Sequence, residues 1–186
     1  MNYCSQCGEK VQLKVPPGDN RPRHVCDNCG TIHYSNPRMV VGSIPRWQGK
    51  VLLCKRAIEP RLGYWTLPAG FMEHNETLEE AAAREAHEEA LAKLSIGAFY
   101  SAVSVTVAGQ VHIWFLADLV DGKFGVGEES LDTKLVAPED IPWDEISFPS
   151  VEFALRRYME DLEKGEFGVH LTEITRRLRD IYKQPD

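Results

Sequence analysis

The stretch Trp65-Thr-Leu-Pro68-Ala-Gly70-Phe-Met-Glu73-His-Asn-Glu76-Thr77-Leu-Glu-Glu80-Ala-Ala-Ala-Arg84-Glu85-Ala-His-Glu88-Glu89-Ala-Leu91 decides the fold. Its second half is rich in Ala, Leu and Glu, and Thr77-x-x-Glu80 is a capping-box signature, which predicts a helix over Thr77–Leu91. On a wheel turning about 100° per residue, Ala81 and Ala82 fall near Leu78 and make a small apolar face. Glu85, Glu88 and Glu89 fall at about 340°, 280° and 20° from Leu78, in the sector of that face rather than opposite it. Their i, i+3, i+4 spacing sets like charges against one another. Between Gly70 and Ala92 the only Lys or Arg is Arg84, against seven glutamates. Burying carboxylates without counter-charge is expensive, and a hard divalent cation with oxygen ligands offsets that cost. Pro68 and Gly70 shape a tight loop ahead of the helix, where a glycine lets its carbonyl approach a metal.

Around this segment the chain reads as α+β: a mixed sheet, helices packed on it, and a small metal module in front. Strand-like runs cover Met39–Ile44, Val51–Lys55 and Tyr64–Leu67, with a turn at Gln48-Gly49. Phe99–Val107 and Gln110–Val120 read as a hairpin joined at Ala108-Gly109, and Lys134–Ala137 as a short strand. Pro149–Lys164 is an amphipathic helix, and His170–Tyr182 is a further helix candidate. No internal repeat is present.

Cys4-x-x-Cys7 and Cys26-x-x-Cys29, with 18 residues between the pairs, have the spacing of a tetrahedral structural zinc site. Gly8 and Gly30 follow the second cysteine of each pair, where a tight turn favours positive φ. The rivals are two disulfides or a redox motif. Disulfides are disfavoured by the lack of a charged-then-apolar leader at Met1-Asn-Tyr-Cys4, and a redox motif needs one pair and a βαβ pattern. Cys54, in Val51-Leu-Leu-Cys54, reads as a small buried hydrophobe. The 186 residues carry 21 Lys+Arg and 28 Asp+Glu, a net charge of −7 that falls entirely within 37–150. That balance argues against a nucleic-acid or membrane partner, and no apolar run approaches the ~20 residues of a membrane span. The expectation is a cytoplasmic protein.

Gly70-x5-Glu76-x7-Arg84-Glu85-Ala86-x-Glu88-Glu89 resembles the Nudix box, the signature of the Nudix hydrolases. The box normally has glycine where this chain has Leu91, a departure that predicts a longer helix without loss of a ligand. The cysteine ribbon, Asn36-Pro37-Arg-Met-Val-Val-Gly42 and Glu128-Glu129-Ser-Leu extend the likeness to zinc-ribbon Nudix enzymes, nearest the group hydrolysing ADP-ribose and FAD. The Ser-Gln-Pro-Trp type motif of the NADH pyrophosphatases is absent from Lys93–Gln110.

The resemblance implies a zinc ribbon over 1–36 and a Nudix α/β/α sandwich over 37–186, hydrolysing the diphosphate linkage of a small nucleoside diphosphate derivative. Glu85, Glu88, Glu89 and the Gly70 carbonyl become the expected ligands of catalytic Mg²⁺ or Mn²⁺, with Zn²⁺ in the ribbon. The general base is then either a box glutamate or an acid of a later loop, where Glu129 is the candidate. Arg84 and Glu76 become supports, and Arg56, Arg61 and Trp65, near the box loop in sequence, are candidate contacts for substrate phosphate or base. By analogy with similar enzymes the chain is expected to form a homodimer. The competing readings are an NADH or other dinucleotide pyrophosphatase, a non-catalytic nucleotide sensor, and a zinc-ribbon nucleic-acid adaptor. A sensor is expected to have lost ligand carboxylates, and the ribbon's net charge of +1 is thin for a phosphate backbone.

Overall fold

Two matching turns organise the N-terminal unit of the computed structural model, which describes residues 1–176. In each turn a glycine N–H donates to the carbonyl of the first cysteine of the pair, Gly8 to Cys4 and Gly30 to Cys26, both at 2.9 Å. The two glycines have φ of +79° and +73°, where a side chain is strained. β1 (Val11–Lys14), β2 (Arg23–Cys26) and β3 (Ile32–His33) form an antiparallel sheet in that order. These strands have only two to four residues each, too short for an apolar alternation to mark them in the sequence. Packing separates this unit, Met1–Pro37, from a second that begins at Arg38.

The second unit is a mixed sheet with one helix on each face. Its strands are β4 (Arg38–Trp47), β5 (Lys50–Arg56), β6 (Trp65–Thr66), β7 (Ala69–Phe71), β8 (Leu94–Val105), β9 (Gln110–Leu119), β10 (Ser130–Val136) and β11 (His170–Ile174). The sheet runs β10-β5-β4-β9-β8-β11, with β6 pairing β5 and β7 pairing β4. The β4–β9 and β8–β11 pairs are parallel and the rest antiparallel. Alternate side chains leave opposite faces of a strand. Accordingly Val41, Ile113 and Phe115 pack on Ala81 and Ala82 of α1 (Leu78–Ala90). Ile44, Trp114 and Leu116 share the other core with Val151, Leu155 and Tyr158 of α2 (Pro149–Lys164). No helix among the described residues is long and apolar enough to cross a membrane.

Two expectations fail. His170–Ile174 is a strand rather than the start of a helix: it pairs in parallel with Ser101–Val105, and the sheet edge supplies backbone partners that local propensity does not register. The remainder of that expected helix lies outside the described residues. The helix of the box motif is also not lengthened. It is capped reciprocally by Thr77 and Glu80 and ends at Ala90, with Leu91 itself in the left-handed region at φ 49°. The long-range reason is a loop, described below, whose glycines occupy the last carbonyls and stop the helix. Leu91 is 53% exposed, so its side chain repays little of the left-handed cost. Leu91→Gly is expected to stabilise the protein by about 1 kcal/mol in urea denaturation; a loss of stability would show that the leucine side chain outweighs its backbone strain.

Candidate active site

The carboxylates of α1 reach the active-site region because β7 carries no side chain at its centre. A Cβ on Gly70 would lie 2.3 Å from the carboxylate atoms of Glu85, so only glycine lets that acid lie against the strand. Glu85 and Glu89 are 8% and 6% exposed, whereas Glu88 remains largely open to solvent. Arg84 binds the group together. Its guanidinium donates to both oxygens of Glu76 (3.0 and 2.8 Å), to Glu85 Oε1 (2.7 Å), to Glu88 Oε2 (3.0 Å) and to the Phe71 carbonyl (3.1 Å). Glu76 also accepts from the Glu73 N–H at 2.6 Å. The Arg84 contact holds its carboxyl down to about 2. Burial pushes Glu85 up, against the pull of Arg84. Glu89, which accepts from the Ala69 N–H at 3.2 Å, is pushed by burial up to about 8.

The acidic loop of Gly125-Val-Gly-Glu128-Glu129 is docked against the end of α1. The Gly125 N–H donates to the Ala90 carbonyl (2.7 Å) and the Gly127 N–H to the Glu89 carbonyl (3.1 Å), filling acceptors that a helix end leaves open. A Cβ on Gly127 would sit 1.8 Å from the Glu88 oxygen, so this approach requires glycine. The Glu129 carbonyl accepts from the Ala57 N–H at 2.8 Å, which fixes the loop on its other side. Glu128 and Glu129 thus join Glu85, Glu88, Glu89 and Gly70 along one cleft of about 1410 Å³. A Gly-x-Gly just ahead of paired acids was the available sequence signal; its partner, the end of α1, was not visible.

The expected substrate contacts separate. Arg56 lines the cleft, 9% exposed, with its Nε donating to the Pro60 carbonyl (2.9 Å) and its guanidinium 5.0 Å from the Phe148 ring centroid. Arg61 and Trp65 are not among the residues that line the cleft. Arg61 is spent on the carbonyls of Ser147 (3.1 Å) and Ile146 (3.4 Å) and on the Tyr64 ring. Trp65 is 5% exposed and belongs to the core, with Lys55 and Lys134 over its ring. Sequence proximity to the box motif drew attention to both, but strand alternation turns Trp65 inward. The cleft also takes in Gln110, His112 and Ser150, which the sequence did not single out. His112 is held at both ring nitrogens, and burial pushes it down to about 4.

Carboxylate oxygens and a backbone carbonyl are the donors that Mg²⁺ and Mn²⁺ favour, and two buried acids with raised proton affinity want a cation nearby. The residues fit such an ion, although Arg84 and the Ala69 N–H now hold the carboxylates. Among the described residues, only Cys4, Cys7, Cys26 and Cys29 bring three or more ligand atoms within 4.8 Å of one another. No disulfide joins them. The Thr31 hydroxyl and backbone N–H lower the Cys29 thiol to about 6, favouring its thiolate, whereas burial and the Cys7 contact raise Cys26 to about 11.

A family model described as the NUDIX domain matches residues 36–160, and one described as Nudix N-terminal, a zinc ribbon, matches residues 2–35. The chain belongs to the Nudix hydrolase family. A Nudix hydrolase from Nitrosomonas europaea, solved by crystallography, is 50% identical with a TM-score of 0.91, covering 94% of this chain and 99% of that one. The NAD-capped RNA hydrolase NudC of Vibrio atlanticus is 30% identical over 122 residues, 66% of this chain and 44% of that protein. The ADP-ribose pyrophosphatase of Methanocaldococcus jannaschii is 33% identical over 113 residues, 59% of this chain and 67% of that protein. The chain thus spans about half the length of the NudC relatives it matches.

The His112 shift gives a pH signature in this Nudix domain. Its folded value of about 4 lies below the ordinary 6.5, so the unfolded chain binds the extra proton and stability is lost as pH falls from about 6.5 towards 4. Denaturant titrations at pH 7 and pH 5 should show a larger fall for wild type than for His112→Asn; equal falls would contradict a half-buried neutral imidazole.

Proposed function

We propose that the protein is a metal-dependent hydrolase of the diphosphate linkage in nucleoside diphosphate derivatives, with ADP-ribose or FAD as the leading substrates. The observation that carries this reading is the convergence of buried Glu85 and Glu89, Arg84 and a docked acidic loop on one cleft, around a Gly70 that must be glycine. The relative named for ADP-ribose supports that substrate, and the relatives named for NAD-capped RNA support NADH or another dinucleotide as the second reading. The absent Ser-Gln-Pro-Trp type motif favours the first.

In this proposal Glu85, Glu88, Glu89 and the Gly70 carbonyl hold Mg²⁺ or Mn²⁺. When bound, such a cation neutralises the diphosphate and lowers the pKa of the attacking water. Glu129 takes the water's proton as general base, from a loop fixed by Gly127 and by the Ala57 N–H. Arg84, anchored by Glu76, orients Glu85 and Glu88, the supporting role that surrounding groups play for metal ligands. Arg56 meets the substrate phosphates. Cys4, Cys7, Cys26 and Cys29 hold a structural Zn²⁺, with 1–36 as the ribbon and 37–186 as the hydrolase domain. A cytoplasmic homodimer acting on small nucleotides is the setting that analogy with similar enzymes supports.

Glu89→Gln is expected to lower turnover at least ~100-fold, the loss of a few kcal/mol of transition-state stabilisation, while leaving the protein folded. Near-normal turnover at saturating Mg²⁺ would overturn the assignment. A screen of ADP-ribose, FAD, NADH, NAD-capped RNA and 8-oxo-dGTP with each metal decides the substrate: tenfold higher kcat/KM for NADH, capped RNA or 8-oxo-dGTP than for both leading candidates would reject the leading choice. Elemental analysis should find one zinc per chain, retained less well in Cys26→Ser. Folded, zinc-free protein with four free thiols would refute the ribbon's metal.

A further inference from the structure

One end of the cleft is built on one face of the sheet. The register places Val40 of β4 beside His112 of β9, Gln110 of β9 beside Val105 of β8, and Val105 beside Ile174 of β11. Residues two apart on a strand share a face, so Gln110 and His112 stand together beside the apolar Val40, Val105 and Ile174, and all of them line the cleft. The start of α2 contributes Ser150. His112 Nδ1 lies 2.8 Å from Ser150 Oγ, and its Nε2 lies 2.9 Å from Gln110 Oε1.

The Gln110 amide turns its oxygen toward His112. An amide oxygen only accepts, so the single proton of the neutral imidazole sits on Nε2 and points at Gln110, while Nδ1 accepts from the Ser150 hydroxyl. The Gln110 carbonyl keeps a second lone pair. Its NH₂ group has no acceptor among the described residues. A planar amide with an acceptor and a donor side by side, held in one orientation next to apolar side chains, is a reader of a flat heterocycle edge.

The geometry points to a nucleobase site at this end of the cleft, in which Gln110 selects a 6-aminopurine. The carbonyl accepts from the exocyclic amine and the amide N–H donates to the adjacent ring nitrogen. A 6-oxopurine sets its own carbonyl oxygen against that of Gln110. Val105, Val40 and Ile174 cover the apolar surface of the ring. This assignment rests on the proposed hydrolysis of nucleoside diphosphate derivatives and names the base that such a substrate carries. It also fits the leading and second substrate candidates together, since ADP-ribose, FAD and NADH share the ADP half.

Steady-state kinetics with ADP-ribose and IDP-ribose test it, in wild type, Gln110→Glu and Gln110→Leu. Gln110→Glu keeps the acceptor for His112 and the side-chain shape, so it separates loss of the donor from disturbance of the fold. Wild type should prefer ADP-ribose by roughly 10- to 100-fold in kcat/KM. Both variants should lose most of that preference through a higher KM for ADP-ribose, with kcat little changed, the pattern of lost uniform binding. Equal use of the two substrates by wild type, or variants that keep the preference, would overturn the base site while leaving the hydrolase reading intact. Calorimetric binding of AMP and IMP, without turnover, separates the converse case. Gln110-dependent preference for AMP in a protein that hydrolyses none of the screened nucleotides would overturn the hydrolase reading and retain the base site. Failure of both assays would overturn both.

Discussion

Holding several carboxylates together at the edge of a sheet is the constraint on which the rest of this site depends. Glu85 and Glu89 are buried, and burial disfavours their ionised forms. The protein manages the conflict with one arginine and one missing side chain. Arg84 spans Glu76, Glu85, Glu88 and the Phe71 carbonyl, so the helix, the loop ahead of it and β7 are cross-linked at a single guanidinium. Its planar fork of donors is what permits this; a lysine ammonium offers a point charge without the geometry. Gly70 supplies the space.

The same constraint accounts for the end of α1. Carbonyls at a helix C-terminus need donors, and here they come from Gly125 and Gly127 of a distant loop. That exchange brings Glu128 and Glu129 to the carboxylates of the helix. It also makes the helix stop at Ala90, with Leu91 in a backbone conformation usually left to glycine. A residue that departs from the family pattern in type therefore keeps the backbone geometry that the pattern demands, at a local energetic cost.

What was legible in the sequence follows from the range of the interactions involved. The capping box at Thr77 and Glu80 and the clash of acids with the apolar sector of the helix are local, and both are present in the structure. The paired Cys-x-x-Cys turns with left-handed Gly8 and Gly30 are equally local. By contrast β11 exists because β8 offers it an edge, and the dispositions of Arg61 and Trp65 depend on the carbonyls of 146–147 and on the core beneath β6. The Gln110–His112–Ser150 set joins a strand to a helix far along the chain. No spacing rule applied to one segment could assemble it.

If the buried acids of α1 are paired with a divalent cation in the working protein, direct ion binding is the most immediate test. Titration of Mn²⁺ into the zinc-replete protein, followed by the electron paramagnetic resonance signal of the free ion, should show saturable binding that Glu85→Gln combined with Glu89→Gln removes. Absence of saturable binding in wild type, or binding unchanged in the double variant, would contradict the account.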